Sequence, residues 1–404
     1  MSQPSKARSN PLRHIKPSYL VLLALLPLFI FLFIFDDTYN DALRFILQGG
    51  GIQMTIALTF CGYLLAFVWG LALAGMQFLN KKPWDVRNFL LAGLGLSAVA
   101  LTLYFMPQQV YVLIGEREGT VAVIQGTPRN LSDVVREGTY AEGAPERDFR
   151  AVPSAEAALE RIASGTYTGA LIPRSFLPEG EETLWEAGFI PRGRQNLLIF
   201  FGSVGVFLLL LTFASWQSTE HPLAIFAELY IDIVRGLPMI VLILFIGLVL
   251  PGELGRLGLL FEPDSRFLRD LQRGTLAVGL AYAAFMAEIF RAGIQAVPKG
   301  QLEAARSLGL SNAQTIRFVL LPQALKIVIP PLGNEFIAMF KDSALVSLIG
   351  TTDIFRLARE FAAARLNNIP PYNTAAVLYI ILTLGASSLL KNLERRTSAG
   401  DKRD

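Results

Sequence analysis

The sequence is poor in charged residues, cysteine and histidine. Asp, Glu, Lys and Arg together make up 17% of the 404 residues, against about 25% in soluble globular domains. The single cysteine, Cys61, excludes a disulfide framework within the chain. The two histidines, His14 and His221, are far apart in sequence, so we expect no metal site.

Catalytic patterns are missing as well. The sequence has no G-x-x-x-x-G-K-[S/T] phosphate loop and no Ser/His/Asp or Cys/His set that would form a catalytic pocket. The formal net charge is only +3, and no basic stripe is interleaved with aromatic residues, so we expect no nucleic-acid partner. We therefore expect a protein that is not an enzyme, binds no cofactor itself and cannot hydrolyse ATP alone.

Hydrophobic residues make up 52% of the chain and are concentrated in long runs. A helix that spans a bilayer needs about 20 apolar residues. The runs are Tyr19–Phe35, Met54–Leu79, Phe89–Met106, Leu197–Trp216, Leu237–Leu250, Thr275–Phe290, Leu332–Gly350 and Thr374–Leu390. The fifth run is short, so we expect it to extend backward into Pro222–Gly236 at the membrane interface. The pattern predicts an all-α integral membrane protein with about eight transmembrane helices.

The first run follows a basic segment, which would also fit a secretory signal peptide. The run is long, however, and the sequence DDTYNDALRF after it offers no A-x-A cleavage site. We therefore expect Tyr19–Phe35 to remain as a membrane anchor.

One polar segment of domain size, residues 107–195, interrupts the apolar runs. Stretches typical of strands alternate in it with helix-favouring stretches, and Gly and Pro separate them. We predict strands at Thr120–Gln125, Asp148–Val152 and Tyr167–Ile172, and helices at Leu131–Glu137 and Ala155–Ser164. This βαβαβ order predicts a small α/β unit with right-handed crossovers.

A polar loop near residue 310 predicts two short helices joined by a tight turn. Gln301–Ser307 consists of good helix formers, and Gly309 is placed to end that helix in a left-handed conformation. Ser311 and Gln314 have the spacing of a capping box for a second helix. Pro322 is expected to bend or end the second helix.

The same loop resembles the EAA loop of ABC-importer permeases. The resemblance lies in Glu303-Ala304-Ala305, then three residues, then Gly309, then nine residues before Val319-Leu320-Leu321-Pro322. It implies that Glu303, Ala304, Ala305, Gly309 and Pro322 couple this chain to an ATPase subunit. The alternative is a surface helical hairpin between two membrane spans.

Further motifs are similar to those of the histidine/glutamine/general amino-acid branch of these permeases. They include Glu228 to Pro238 (ELYIDIVRGLP), Tyr282 to Arg291 (YAAFMAEIFR) and Lys341 to Leu345 (KDSAL). The resemblance covers residues 49–80 and 226–394, and the long form is most similar to broad-specificity L-amino-acid permeases. For Glu288 and Arg291 we expect a structural salt bridge, with substrate contact as the alternative.

The resemblance implies a type I importer architecture with an insert. The segments are a cytoplasmic N-terminus at 1–18, transmembrane helices at 19–106, a periplasmic α/β insert at 107–195, a transmembrane core at 196–394 with its coupling loop at 296–330, and a cytoplasmic tail at 395–404. The implied partners are an ABC ATPase dimer with its ATP and Mg²⁺, a second permease subunit (sister or self), a periplasmic amino-acid-binding protein and membrane lipid.

The insert resembles part of one lobe of periplasmic amino-acid-binding proteins. The similar residues are Val121–Thr127 and Ser154–Ile172. In that family the turn after the first strand binds the ligand's carboxylate, which a helix N-terminus also favours. Here the second lobe is missing and Pro128 removes an N–H donor. A spacer or docking module is therefore favoured over a ligand-binding unit.

Ionisable residues within the apolar runs predict the substrate path, because a charge inside a membrane is expensive. Glu335 follows Pro330-Pro331, where we expect a kinked helix to enter the membrane. It is predicted to accept the ammonium of an amino acid, and Asn334 to help bind the carboxylate. Pairing of Glu335 with Lys341 is the alternative. The remaining path candidates are Lys341 and Asp342, which cannot face each other, and Ser343 and Ser347, four apart on one helix face.

The distribution of Lys and Arg predicts the orientation in a bacterial inner membrane. A cytoplasmic coupling loop and eight spans place both termini in the cytoplasm, which the basic N-terminus and tail support. Two predicted outer loops carry arginines against this rule, namely Arg256, Arg266, Arg269 and Arg273 in one and Arg356, Arg359 and Arg365 in the other. The orientation is kept because the coupling loop must meet a cytoplasmic ATPase.

Two functions of other classes remain as alternatives. A membrane receptor whose outer α/β unit senses an amino acid predicts a complete two-lobed cleft outside. An exporter or ion-gradient transporter predicts inverted repeats with broken helices in both halves, and the sequence shows no such repeat.

Overall fold

The computed structural model describes residues 36–256, 260 and 263–398. The predicted anchor Tyr19–Phe35 and the chain ends lie outside this part. The described chain divides into two compact units. The first, the core unit, holds the described residues up to Lys81 and those from Thr219 onward; the second, the inserted unit, is Lys82–Ser218.

The described chain is mostly helical and contains one sheet. The helices are α1 Asp37–Gln48, α2 Gly51–Gln77, α3 Pro83–Phe105, α4 Arg129–Arg136, α5 Ala155–Ala163, α6 Arg192–Gln217, α7 Pro222–Gly236, α8 Met239–Leu244, α9 Leu250–Arg256, α10 Arg266–Gln295, α11 Lys299–Ser307, α12 Asn312–Thr315, α13 Leu321–Asp342, α14 Ile354–Arg365 and α15 Ile369–Ser398. The strands are β1 Gln109–Gly115, β2 Val121–Ile124, β3 Phe149–Val152, β4 Gly169–Pro173 and β5 Thr183–Phe189.

Six segments of the described chain are long and apolar enough to cross a membrane. They are α2, α3, Gly193–Gln217, α10, Asn312–Ile349 and Ile369–Lys391. Pro222–Gly236 and Met239–Gly255, bent by 113° at their junction, make a seventh if the pair is one broken span. Seven of the eight predicted runs overlap these segments or the bent pair. The remaining run, Tyr19–Phe35, lies outside the described residues. The fifth run extends backward into Pro222–Gly236 if the bent pair is counted as one broken span, and its place at the membrane interface stays a prediction.

The core unit is built around the contact of α2 with α10. A side chain added at Gly70 would lie 2.8 Å from Cβ of Met286 and 2.8 Å from the carbonyl oxygen of Ala283. Leu73 and Ala74 of α2 are fully buried in the same layer. Small residues let two membrane helices approach closely, and dispersion contacts then hold the pair where lipid offers no hydrophobic driving force.

In the inserted unit, α3 and α6 pack antiparallel through small residues. A Cβ at Gly93 would lie 3.0 Å from Leu209, and one at Gly205 would lie 2.8 Å from the backbone nitrogen of Ser97. At one end of the pair, Arg194 donates a hydrogen bond to the Pro107 carbonyl at 2.8 Å. These contacts hold the end of α3 beside the start of α6, from which the sheet emerges.

The sheet has the order β3-β2-β4-β1-β5. Strands β3 and β4 flank β2 in parallel, whereas β1 runs antiparallel to β4 and β5. Alternate residues face opposite sides, so α5 covers one face with Ala155 and Ala158 and α4 the other with Leu131 and Val135. The three predicted strands and two predicted helices are confirmed, and β1 and β5 were not predicted.

The prolines of this region lie within a continuous helical segment. The helix does not end at Pro322, which was one of the two outcomes we expected there, because a π-helical turn at Ile316–Leu320 leads directly into α13. Pro322 lies in the first turn of α13, next to the π-helical turn. Pro330 and Pro331 lie inside α13, where a proline kinks a helix because it has no N–H to donate.

The two ends of the inserted unit return to adjacent points. Asn80 and Glu220, just outside the unit, pair as an isolated antiparallel bridge of the core unit. The chain therefore leaves and re-enters the core unit at nearly the same place.

Candidate functional site

The predicted coupling loop forms a helical hairpin of α11 and α12, called the coupling hairpin below. The backbone N–H of Gly309 donates to the Arg306 carbonyl at 2.9 Å, and that of Leu310 donates to the Ala305 carbonyl at 3.2 Å. These are the two bonds of a Schellman motif, which requires a left-handed residue after the helix. Gly309 supplies it with φ of 82°, so the predicted turn is confirmed.

The second helix of the hairpin begins at a capping box, as predicted. The Ser311 hydroxyl accepts a hydrogen bond from the Gln314 N–H at 3.3 Å, and the Gln314 side chain accepts one from the Ser311 N–H at 2.9 Å. Two orphan donors of the helix start are thereby satisfied.

The coupling residues divide between an outer and an inner face of the hairpin. Glu303, Ala304, Gly309 and Pro322 are exposed, whereas Ala305 is buried. Leu308, beside the turn, is 82% exposed. A single exposed apolar side chain is ordinary on a protein surface, so Leu308 alone does not identify an interface.

The inner polar site lies where α2, α10 and α13 meet. The buried hydroxyl of Tyr282 on α10 donates to Oδ2 of Asp342 at 2.6 Å. Tyr63 of α2 donates to the Leu332 carbonyl on α13 at 3.1 Å. Glu335 is half-buried between them and interacts electrostatically with Tyr63, Tyr282 and Asp342. Two carboxylates and two phenol hydroxyls therefore share one partly buried region.

The other predicted path residues of α13 face elsewhere. Glu335 and Asp342 are seven residues apart and share one face, whereas Asn334 and Lys341 share another face that is exposed. Among the residues that the structure describes, no ion pair joins Glu335 to Lys341. The alternative that these two side chains pair is therefore not supported.

Ser343 and Ser347 do not lie on one face, contrary to our prediction. Residues Ser343–Ile349 form a 3₁₀ helix, whose three residues per turn place positions four apart about 120° from each other. Both serines are buried, and the Ser343 hydroxyl donates to the Phe340 carbonyl at 2.7 Å. They are packed inside the core unit in this conformation.

A cluster of charges at Glu288 confirms the predicted salt bridge and enlarges it. The Glu288 carboxylate accepts two hydrogen bonds from Arg291, from Nε at 3.2 Å and from Nη2 at 2.7 Å. Arg235 of α7 also approaches it, with Nη1 at 3.5 Å from Oε2. The partner from α7 was not predicted.

Sequence reasoning also missed a fully buried carboxylate, Asp353. It accepts hydrogen bonds from the N–H groups of Phe355 and Arg356 at the start of α14 and from the Tyr379 hydroxyl of α15 at 2.9 Å. Burial raises the pKa of Asp353 to about 6, although these donors oppose the rise. Its position just before a helix was a detectable signal, since Asp is a preferred N-cap residue.

In the inserted unit, an open cleft is lined by the turn after β2, the turn that binds the ligand's carboxylate in periplasmic amino-acid-binding proteins. Gly126, Thr127 and Arg129 contribute to it together with Tyr111 and Phe189. Pro128 is the N-cap of α4, so that position has no N–H donor to offer.

The carboxylates and phenol hydroxyls of the inner polar site are groups that can bind a cation. Carboxylates and hydroxyls such as those at Asp342 and Tyr282 accept hydrogen bonds from an ammonium group. Among the described residues, no group of three or more His, Cys, Asp or Glu side chains is arranged to hold a metal ion.

Comparison with known proteins places the chain among transport proteins. Residues 199–399 match the family described as the binding-protein-dependent transport system inner membrane component. The glutamate/aspartate import permease protein GltK of Escherichia coli O6:H1 is 33% identical over 182 residues, 45% of this chain and 80% of GltK. The glutamine transport system permease protein GlnP of Escherichia coli K12 is 34% identical over 185 residues, 46% of this chain and 78% of GlnP.

A solved structure is also similar, the crystal structure of an amino acid ABC transporter with histidines. Its chain is 38% identical, with a TM-score of 0.38, over 50% of this chain and 90% of that chain. The relatives are permeases, and they give no support to the receptor alternative. Because the match to GltK and GlnP extends over 80% and 78% of their lengths, this chain belongs to the binding-protein-dependent transport inner membrane components, the permease subunits of ABC importers.

Proposed function

We propose that this chain is the translocation subunit of an ATP-driven importer of polar or general L-amino acids. GltK and GlnP, both more than 30% identical, are named for glutamate/aspartate and glutamine. The observation that supports the substrate class is the hydrogen bond of Tyr282 to Asp342 beside Glu335. It belongs to a region where two carboxylates lie close together and three membrane helices meet.

In this proposal Glu335 and Asp342 bind the ammonium of the substrate. A charged hydrogen bond inside a protein is stronger than in water because the surroundings screen it less. Tyr282 holds Asp342 in place through its 2.6 Å bond. Asn334, on the neighbouring exposed face of α13, approaches the substrate's carboxylate.

The driving force comes from a partner. A separate ATPase dimer, with ATP and Mg²⁺ bound to it, docks on the exposed surface of the coupling hairpin at Glu303, Ala304 and Gly309. Closure of that dimer displaces the hairpin and tilts the spans, so that the substrate site opens to the other side. Such coupling needs two states of the permease and a ligand that binds one of them better.

The remaining parts of the proposal concern assembly and orientation. The chain lies in the bacterial inner membrane with both termini cytoplasmic and the α/β insert periplasmic. A periplasmic amino-acid-binding protein delivers the substrate, and a second permease subunit, sister or self, completes the pathway. The insert serves as a spacer or docking module.

The test uses the complete importer in proteoliposomes with labelled amino acids and the variant Glu335→Gln, which keeps size and removes charge. Hydrogen bonds to charged groups contribute about 1.5–3 kcal/mol. We therefore expect uptake at limiting substrate to fall by about 10- to 100-fold, with unchanged affinity of the binding protein for its ligand.

Glu142→Gln is the matched control, because it makes the same change at an exposed position of the inserted unit. It should leave uptake near the wild-type value. Wild-type uptake kinetics in Glu335→Gln would exclude a substrate role for this carboxylate, and a wild-type importer that takes up none of the amino acids would contradict the proposed function.

A further inference from the structure

Two sequence motifs that are far apart in the chain meet at one carboxylate. Glu288 belongs to the motif of α10 and Arg235 to the motif that ends α7. The carboxylate accepts two hydrogen bonds from Arg291 on its own helix and lies 3.5 Å from the Arg235 guanidinium. Arg291 therefore fixes the orientation of Glu288, and Glu288 in turn holds the end of α7.

The end of α7 is the point where the chain turns sharply. Pro222–Gly236 and the segment Met239–Gly255 are inclined by 113°. Pro238 has no N–H with which to continue α7, so the sequence fixes the position of the bend. Arg235 is the last charged residue before it.

A second contact ties the same two helices together. The hydroxyl of Tyr230 on α7 donates to the Leu280 carbonyl on α10 at 2.6 Å. Helix α7 thus contacts α10 through polar groups at two levels.

The other end of this connection is the coupling hairpin. From Glu288 the helix α10 runs for two more turns to Gln295, and α11 begins at Lys299 after Pro298. Helix α10 therefore leads from the Glu288 cluster to within three residues of the coupling hairpin, the surface proposed for the ATPase.

We propose that Glu288 is a positioning residue for ATP-coupled transport, which transmits movement of the coupling hairpin through α10 to the bend between α7 and α8. This inference rests on the proposed function, since it takes the ATPase to dock on the hairpin. Ion pairs with side chains as exposed as Arg235 (48%) and Arg291 (40%) add little stability. In this proposal these contacts therefore have a role in coupling and not in stability.

The test measures substrate imported and ATP hydrolysed by the complete importer in proteoliposomes. In Glu288→Gln and in Arg235→Gln we expect the amount imported per ATP to fall about fivefold, with hydrolysis retained. The amount imported per ATP should be no lower in the double variant than in Glu288→Gln, because each single change already removes the contact between Arg235 and Glu288. Arg235→Lys keeps the charge and should restore most of the ratio.

Glu186→Gln is the control, because it breaks a 3.0 Å ion pair with Arg174 in the inserted unit. It should leave the ratio at the wild-type value. A role that is only structural would lower import and hydrolysis together and leave their ratio unchanged, which would overturn the inference.

If Glu288→Gln does not accumulate as folded protein, the two Arg235 variants decide the question on their own. A wild-type importer that hydrolyses ATP without importing any amino acid would contradict the proposed function instead.

Discussion

Replacing Gly309 by alanine should weaken docking of the ATPase through a backbone effect alone. No atom lies within 4 Å of the position that the new methyl group would occupy, so the substitution causes no clash. The residue has φ of 82°, and a left-handed conformation costs an L-residue about 1–2 kcal/mol. If docking requires the intact turn, the ATPase should bind about 5- to 30-fold more weakly.

Substitutions at two other glycines serve as controls. They separate the loss of the turn at Gly309 from the loss of a glycine on the hairpin and from backbone strain elsewhere in the chain. Gly300 lies on the same hairpin, also in open space, but inside the helix α11. Gly300→Ala should therefore be neutral or slightly stabilising. Gly165 closes a turn with the same hydrogen bonds after α5, with φ of 69° and open space around it. Gly165→Ala introduces the same strain in the inserted unit and should leave docking unchanged.

The assay titrates the purified ATPase subunit onto the permease in nanodiscs and follows both binding and stimulated ATP hydrolysis. Binding that is equal in wild type and Gly309→Ala would show that the ATPase does not need this turn. Equal losses in Gly309→Ala and Gly165→Ala would show that strain anywhere in the chain suffices. Either result would refute the reasoning.

Three further predictions concern packing, pH and topology. Gly70→Ala should destabilise the core unit by about 1–3 kcal/mol, because its methyl group would meet Met286. Gly75→Ala on the same helix places a methyl group with no atom within 4 Å and should not destabilise the unit. Thermal unfolding in detergent compares the two variants, and equal midpoints would contradict the packing. The pKa of Asp353 is raised from 3.8 to about 6 in the folded state, so its contribution to stability is full well below pH 4 and is lost as the pH rises through 6. Relative to Asp353→Asn, the wild type should lose about 2 kcal/mol between pH 4 and pH 7, and parallel pH profiles would exclude this. A cysteine introduced at the exposed Asn130, after replacement of Cys61 by serine, should react with an impermeant maleimide in intact cells, and reaction only after lysis would place the insert on the cytoplasmic side.

Local chemistry explains what the sequence predicted well. The turn at Gly309 and the capping box at Ser311 depend on residues within a few positions of each other, and both are present as expected. Long apolar runs located the spans, because a membrane tolerates little else. The strands β2, β3 and β4 were found because each is bounded by glycine or by a helix signal.

What the sequence missed depends on neighbours far away in the chain. β1 follows α3 so closely that its apolar residues resemble a continuation of the span, and β5 owes its place to pairing with β1. The bonds of Tyr282 to Asp342 and of Arg235 to Glu288 depend on how separate helices are aligned. The 3₁₀ helix at Ser343 changed the face of each residue without any break in the apolar run.

The position of the inserted unit Lys82–Ser218, between two parts of the core unit, also sets the order of events during synthesis. Helix α2 is made early, but Met286, which packs against Gly70, follows only about 200 residues later. At about 5–20 residues per second, this interval lasts roughly 10–40 s. Throughout that time the whole inserted unit can emerge and fold, while the small-residue face of α2 remains covered by lipid or by a membrane chaperone until α10 arrives.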